Sequence, residues 1–135
     1  MSHTIHDVGV AKQIGRYSDA IESAAGLRWL HTSGTPGLSL AGELPGDIEG
    51  QAEIAWTHIV EMLKRADMTT ADLVKVTHYL IRAQDIPGYV KVRSRFLGDV
   101  RPASMLLVVN QLVRPDMLVE VDMLVEVEAI AARAP

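Results

Sequence analysis

Residues 52–66 set the first constraint on this chain. Ala52, Ala55, Trp56, Ile59, Met62, Leu63 and Ala66 recur at spacings of one helical turn, which puts them on a single apolar stripe. Such a stripe needs a flat apolar partner, and the sequence supplies one just downstream. Leu73-Val74-Lys75-Val76-Thr77-His78-Tyr79-Leu80 is rich in β-branched residues, as a strand requires. Pro45-Gly46-Asp47 announces the helix, with the Asp47 carboxylate placed to accept N–H groups of the first turn. A second helix is expected to start around Asp85, to tolerate Pro87 in its first turn and to stop near Gly98. Its apolar face would carry Ile86, Tyr89, Val90, Phe96 and Leu97.

Before the first helix, Val8 to Gly15 and Ser18 to Ala25 read as short extended pieces. Arg28 to Ser33 reads as a strand, ended by Gly34, Pro36 and Gly37. Two strands, Ala103 to Leu112 and Met117 to Ala131, close the chain. This order implies an α+β fold, a mixed sheet with two helices packed on one face. No linker interrupts it, so residues 1–135 read as a single domain.

Composition narrows the function. Hydrophobic residues make up 48 % and charged residues 22 %, a globular rather than a disordered balance. No apolar run approaches the roughly 20 residues that cross a bilayer. Met1 to Asp7 lack the basic patch and apolar stretch of a secretory signal, so a cytoplasmic protein without a membrane partner is expected. The absence of cysteine removes disulfides, thiolate nucleophiles and Cys-based zinc sites. The net charge is −4, and the nearest approach to a basic patch is Lys91, Arg93, Arg95 and Arg101. At helical spacing residues 91 and 95 share a solvated face, which argues against a nucleic-acid partner. The histidines show no metal-binding helix motif, and Gly34-Thr35-Pro36-Gly37 lacks the lysine of a phosphate loop. Neither metal nor cofactor is expected.

Asp116-Met117-Leu118-Val119-Glu120-Val121 repeats at once as Asp122-Met123-Leu124-Val125-Glu126-Val127. The repeat has an even length, so it preserves the two-residue alternation of a strand: the odd positions stay apolar while the acids fall on even ones. One uninterrupted strand over 117–131 would span about 50 Å at roughly 3.3 Å per residue, too long for a domain of this size. One copy is therefore expected to pair in the sheet while the other forms a bulge, overhang or loop. The short spacing from Pro115 favours the first copy. Continuity into Glu128, Ile130 and Ala131 favours the second, which is the preferred reading.

Arg101-Pro102-Ala103-Ser104 with its following strand, Leu124 to Ala131, Gly15-Arg16-Tyr17-Ser18 and Thr32-Ser33-Gly34 together resemble the Rid family, also called RidA-like or YjgF, of enamine and imine deaminases. The resemblance spans nearly the whole chain. It implies the chorismate-mutase-like fold, a homotrimer and a small-molecule ligand held between subunits without a cofactor. It also implies a tyrosine at Tyr17, a ligand-orienting turn at Ser33-Gly34, and a water-positioning glutamate at Glu126 or its twin Glu120. Four places depart from the family pattern. Arg16 and Asp19 replace a proline and a glutamine, and Val90-Lys91-Val92 occupy the stretch where an asparagine is expected. Most tellingly, Ser104 stands where deaminases carry the arginine that grips a substrate carboxylate.

The chemistry follows from these assignments. Imine hydrolysis adds water to a carbon made electrophilic by a protonated nitrogen, and a half-buried carboxylate with a raised pKa can deprotonate that water. A glutamate on the outer face of a terminal strand is otherwise an ordinary solvated side chain. Ser104 removes a bidentate, charge-assisted grip, a loss of about tenfold to hundredfold in affinity. Either the substrate lacks that carboxylate, or another arginine such as Arg101 or Arg114 supplies the charge, or catalysis is gone. Arg101 faces away from Ser104 in a regular strand. Ser104 as a nucleophile would need a base, His31 or His78, although strand histidines are commonly packed or edge residues. Acids lining a trimer interior would also repel across subunits. Two functions remain: a hydrolase of small imines or enamines with altered specificity, and a non-catalytic homotrimer that binds a small molecule or a partner protein.

Overall fold

The computed structural model describes residues 2–113 and 123–135. Its elements are β1 (His3–His6), α1 (Ala11–Ile14), β2 (Ala20–Ser23), β3 (Arg28–His31), β4 (Thr35–Pro36), α2 (Ile48–Arg65), β5 (Leu73–Leu80), α3 (Ile86–Leu97), β6 (Ala103–Val108) and β7 (Val125–Arg133). The main sheet runs β3-β7-β5-β6, with β4 also beside β7. β5 and β6 are parallel and the β7 pairings antiparallel, so the sheet is mixed. β1 and β2 form a separate antiparallel pair.

The α2 stripe behaves as its spacing demands. Asp47 Oδ1 accepts from Gly50 N at 3.1 Å, starting the helix. Ala52, Ala55, Trp56, Ile59 and Leu63 are buried against Val76 and Leu80 of β5 and Val125, Val127, Ala129 and Ala131 of β7. Fully burying a side chain such as Ile59 stabilises the fold by about 1.5–3 kcal/mol. α3 joins the same core through Tyr89, Val92 and Leu97, so α2 and α3 lie on one face of an α+β sheet. Among the described residues, no helix is long and apolar enough to cross a membrane.

β7 starts at Val125, inside the second copy of the repeat, and is anchored there by Leu124 N donating to the buried Gln51 Oε1 at 2.7 Å. Val125, Val127 and Ala129 are buried while Glu126 and Glu128 face the other side, as the alternation predicts. The first copy, Glu120 included, lies outside the described residues. Both closing strands are shorter at one end than expected, β6 stopping at Val108 and β7 beginning at Val125.

Val8 to Gly15 is not extended. Ala11–Ile14 form a helical turn instead, because the Asp19 carboxylate gathers the N–H groups of Val8, Gly9, Val10 and Ala11 at 2.7–3.4 Å. Those bonds, led by the one from Val8, hold the Asp19 carboxyl below its usual range.

Candidate functional site

Two clusters hold the sequence-predicted site residues, on opposite faces of the sheet. The first is a cavity of about 530 Å³ at the outer edge of β6, lined by Tyr17, Arg93 and Ser104 with apolar walls from Ile86, Val90 and Leu106. Tyr17 is held there by its neighbour. Ser18 N donates to Pro102 O at 3.2 Å, and the Ser18 hydroxyl donates to Arg101 O. A larger hollow of about 730 Å³ beside the β1–β2 pair is lined by Arg101 but by none of Tyr17, Ser33, Gly34, Ser104 and Glu126.

Ser104 pairs in parallel with Val76, so its side chain lies on the helix side of the sheet. Its Oγ is 2.8 Å from Nε2 of the fully buried His78, and His78 Nδ1 meets the hydroxyl of Tyr89. Trp56 Nε1 donates to that same hydroxyl at 3.1 Å. Burial, helped by the charge of Arg93, pushes the His78 pKa down to about 3, so the ring is neutral. The tautomer follows from counting hydrogens. The buried Tyr89 hydroxyl accepts from Trp56 and must donate its own hydrogen, for which Nδ1 is the partner at hand. His78 then carries its hydrogen on Nε2 and donates it to Ser104. His78 is thus both the packed strand histidine of the default reading and the partner of Ser104. It acts on the hydroxyl as a donor, not as a base.

The second cluster is on the open face. Glu126 stands beside Gly34, so close that a Cβ added to Gly34 would be 2.6 Å from Glu126 Oε1. Ser33-Gly34 is an irregular link rather than a turn ending the strand, since β3 before it and β4 after it both pair antiparallel with β7, and it is fixed to β7 from its upstream side. Thr32 N donates to Ala129 O and Ala129 N donates to Thr32 Oγ1, both at 2.9 Å. Partial burial, and then the neighbouring Glu128 charge, raise the Glu126 carboxyl above its ordinary value. Tyr79 donates to Glu128 Oε1 at 3.1 Å. Tyr17 and Ser104 are therefore brought together, as are Ser33, Gly34 and Glu126, but one chain does not join the two groups.

The arginine question has a different answer from the one expected. Arg101 is turned away, with its Nη1 donating to Gly98 O at 2.7 Å and Val100 O at 3.0 Å. Arg114 lies outside the described residues. Arg93, missed in the sequence, lines the cavity instead, its guanidinium carbon 5.8 Å from the centre of the Tyr89 ring. The signal was available: Arg93 is one turn after Tyr89 and thus on the inward face of α3. Lys91 and Arg95 do occupy the outer face, paired with Glu49 at 3.2 Å and Glu53 at 3.7 Å. Among the described residues, no group of three or more His, Cys, Asp or Glu could hold a metal ion.

Residues 9–132 match the family model described as endoribonuclease L-PSP. A RutC family protein of Pyrococcus horikoshii is 31 % identical over 114 residues, covering 83 % of this chain and 88 % of the relative. A putative endoribonuclease of Thermotoga maritima superposes with a TM-score of 0.71 at 29 % identity, covering 90 % of each chain. The conserved Rid protein YyfB of Yersinia pestis, of unknown function, superposes with a TM-score of 0.82 at 23 % identity, covering 98 % of this chain and 100 % of that one. This last likeness speaks to the fold alone.

Proposed function

We propose, since the chain belongs to the endoribonuclease L-PSP family (the Rid or YjgF family), that it is a cofactor-independent hydrolase of small imines or enamines. The observation that carries this reading is the half-buried Glu126 carboxylate, raised in pKa and set against Gly34. It takes a proton from water as the water oxygen bonds to the imine carbon. The carbinolamine so formed takes that proton from Glu126 on its nitrogen, its C–N bond breaks as the hydroxyl proton passes back to the carboxylate, and ammonia leaves a carbonyl product. Tyr17 and the Ser33-Gly34 link orient the ligand, and Ser104 reshapes the pocket that an arginine fills in family deaminases.

Assembly completes the site in this reading. Tyr17 and Ser104 lie across the sheet from Glu126, and Trp29, Met105 and Leu107 leave large apolar surface exposed, with Met105 and Leu107 on the outer side of β6. A homotrimer of chorismate-mutase-like domains, each comprising residues 1–135, brings one subunit's cavity to another's glutamate in the cytoplasm. The same separation favours a second reading, a non-catalytic trimer that holds a small molecule or partner without reaching Glu126.

The test is ammonia release from imines generated in situ by an amino-acid oxidase, with carboxylate-bearing substrates set against analogues lacking the carboxylate. Turnover by the wild type that vanishes in Glu126→Gln supports the hydrolase. Ligand binding without turnover of any imine sinks it and leaves the binding protein.

A further inference from the structure

We infer that Arg93 and Ser104 act as a pair that holds the carboxylate of a small aliphatic acid in the cavity between α3 and β6. The inference deepens the reading above and rests on it for the reacting group, though not for the anion contact itself. Three observations converge on this cavity.

The first is an arginine without a counter-ion. Arg93 is half-buried in α3 and makes no ion pair or hydrogen bond among the described residues, whereas Lys91 and Arg95 on the same helix each have a glutamate. A partly desolvated guanidinium without an anion is costly, and an incoming carboxylate relieves that cost through a forked, charge-assisted contact. The Tyr89 ring beneath it restrains the cation without neutralising it.

The second is the direction of the Ser104 hydroxyl hydrogen. Trp56, Tyr89 and His78 form a donor chain that ends on Ser104 Oγ. With an N–H already directed at its oxygen, Ser104 is left to donate its own hydrogen, and the residue lines the cavity that Arg93 also lines. Donation from His78 polarises the hydroxyl and strengthens it as a donor to an anionic oxygen. The third is the wall. Ile86, Val90 and Leu106 give an apolar lining suited to a short alkyl chain, and about 530 Å³ is ample for a molecule of that size. The cationic grip has thus moved from strand β6 to helix α3, and the serine has become its hydrogen-bonding companion.

Calorimetric titration of the full chain with 2-oxobutanoate and with its uncharged amide tests this. No turnover is read, so a failure of imine hydrolysis leaves the result intact. The acid is expected to bind at least about tenfold more tightly than the amide. Arg93→Gln should weaken acid binding by about tenfold to hundredfold and leave the amide unchanged, and Ser104→Ala should weaken both by several-fold. Equal binding of acid and amide, no binding of the acid at millimolar concentration, or an acid preference that survives Arg93→Gln would each overturn the proposal. Should Arg93→Gln fail to fold by thermal melting, Arg93→Lys carries the test. It keeps the charge but not the fork, and an undiminished acid preference in that variant overturns the pair.

Discussion

His78 Nε2 and Ser104 Oγ stand 2.8 Å apart, joining parallel strands β5 and β6 on the helix side of the sheet. Because the imidazole donates in that contact, the pair is the reverse of a serine nucleophile with its base. A serine-directed fluorophosphonate is therefore expected to leave the protein unlabelled, as read by intact mass, even at high reagent excess. Ser104→Ala should lower unfolding free energy in urea by about 1 kcal/mol, the worth of one hydrogen bond to a buried donor. Stoichiometric labelling at Ser104 would refute the tautomer drawn here.

Glu126 should impose a recognisable pH profile. Its base form accepts the proton from water, so kcat/KM for an imine is expected to rise with pH through a midpoint above the ordinary carboxylate value, since burial and then Glu128 raise it. Glu128→Gln removes the like charge and should move the midpoint down. Folding responds in the same window. A raised folded-state pKa gives stability that is present below the unfolded value and lost as pH rises through the folded one. Glu126→Gln is accordingly expected to raise the melting temperature near neutral pH while abolishing turnover. A midpoint indifferent to Glu128 would detach the profile from this carboxylate.

Two glycines separate site geometry from fold geometry. A Cβ on Gly34 would meet the end of the flexible Glu126 side chain at 2.6 Å, and that carboxylate can swing away. A Cβ on Gly37 would meet the backbone oxygen of Gln51 at 2.2 Å, inside α2, which cannot. Gly34→Ala should leave urea stability within about 1 kcal/mol and sharply lower turnover by displacing Glu126. Gly37→Ala should cost about 1–3 kcal/mol or more and disturb the packing of α2 on the sheet. Full activity in Gly34→Ala would remove Glu126 from the reaction.

Periodicity carried most of the architecture because local spacing and tertiary burial agree there. The stripe from Ala52 to Leu63 buries as its spacing requires, and Leu73 to Leu80 is a strand with the bounds read from its residues. What escaped was set by contacts distant in sequence. The helical turn at Ala11 depends on a carboxylate eight residues later, and Ser104 meets a histidine 26 residues earlier through parallel pairing that alternation alone does not register. The open-face position of Glu126 was legible from parity; that Ser104 falls on the opposite side was not, because its strand is an edge with no clear alternation. Arg93 was passed over since a lysine and an arginine two residues to either side made the stretch read as solvated surface.

The repeat allows a decisive deletion. Removing residues 116–121 or residues 122–127 gives the same sequence, because the copies are identical. The shortened chain keeps a Met-Leu-Val-Glu-Val segment ahead of Glu128, so it retains the equivalents of the buried Met123 and Leu124 and of the Leu124 N–H that bonds Gln51 Oε1. Six is even, so Val125, Val127 and Ala129 remain on the helix side and Glu126 stays opposite Tyr79 on the open face. Shortening a connection by this length changes closure entropy by no more than about 1 kcal/mol. Unfolding free energy, far-UV circular dichroism and any imine turnover should all survive within that margin. Deletion of five residues taken across the strand itself, 123–127, breaks the parity and is expected to cost far more, since Asp122 and Glu120 then fall at the buried positions of Val127 and Val125. Equal tolerance of the five- and six-residue deletions would show that the register of β7 is not held by alternation.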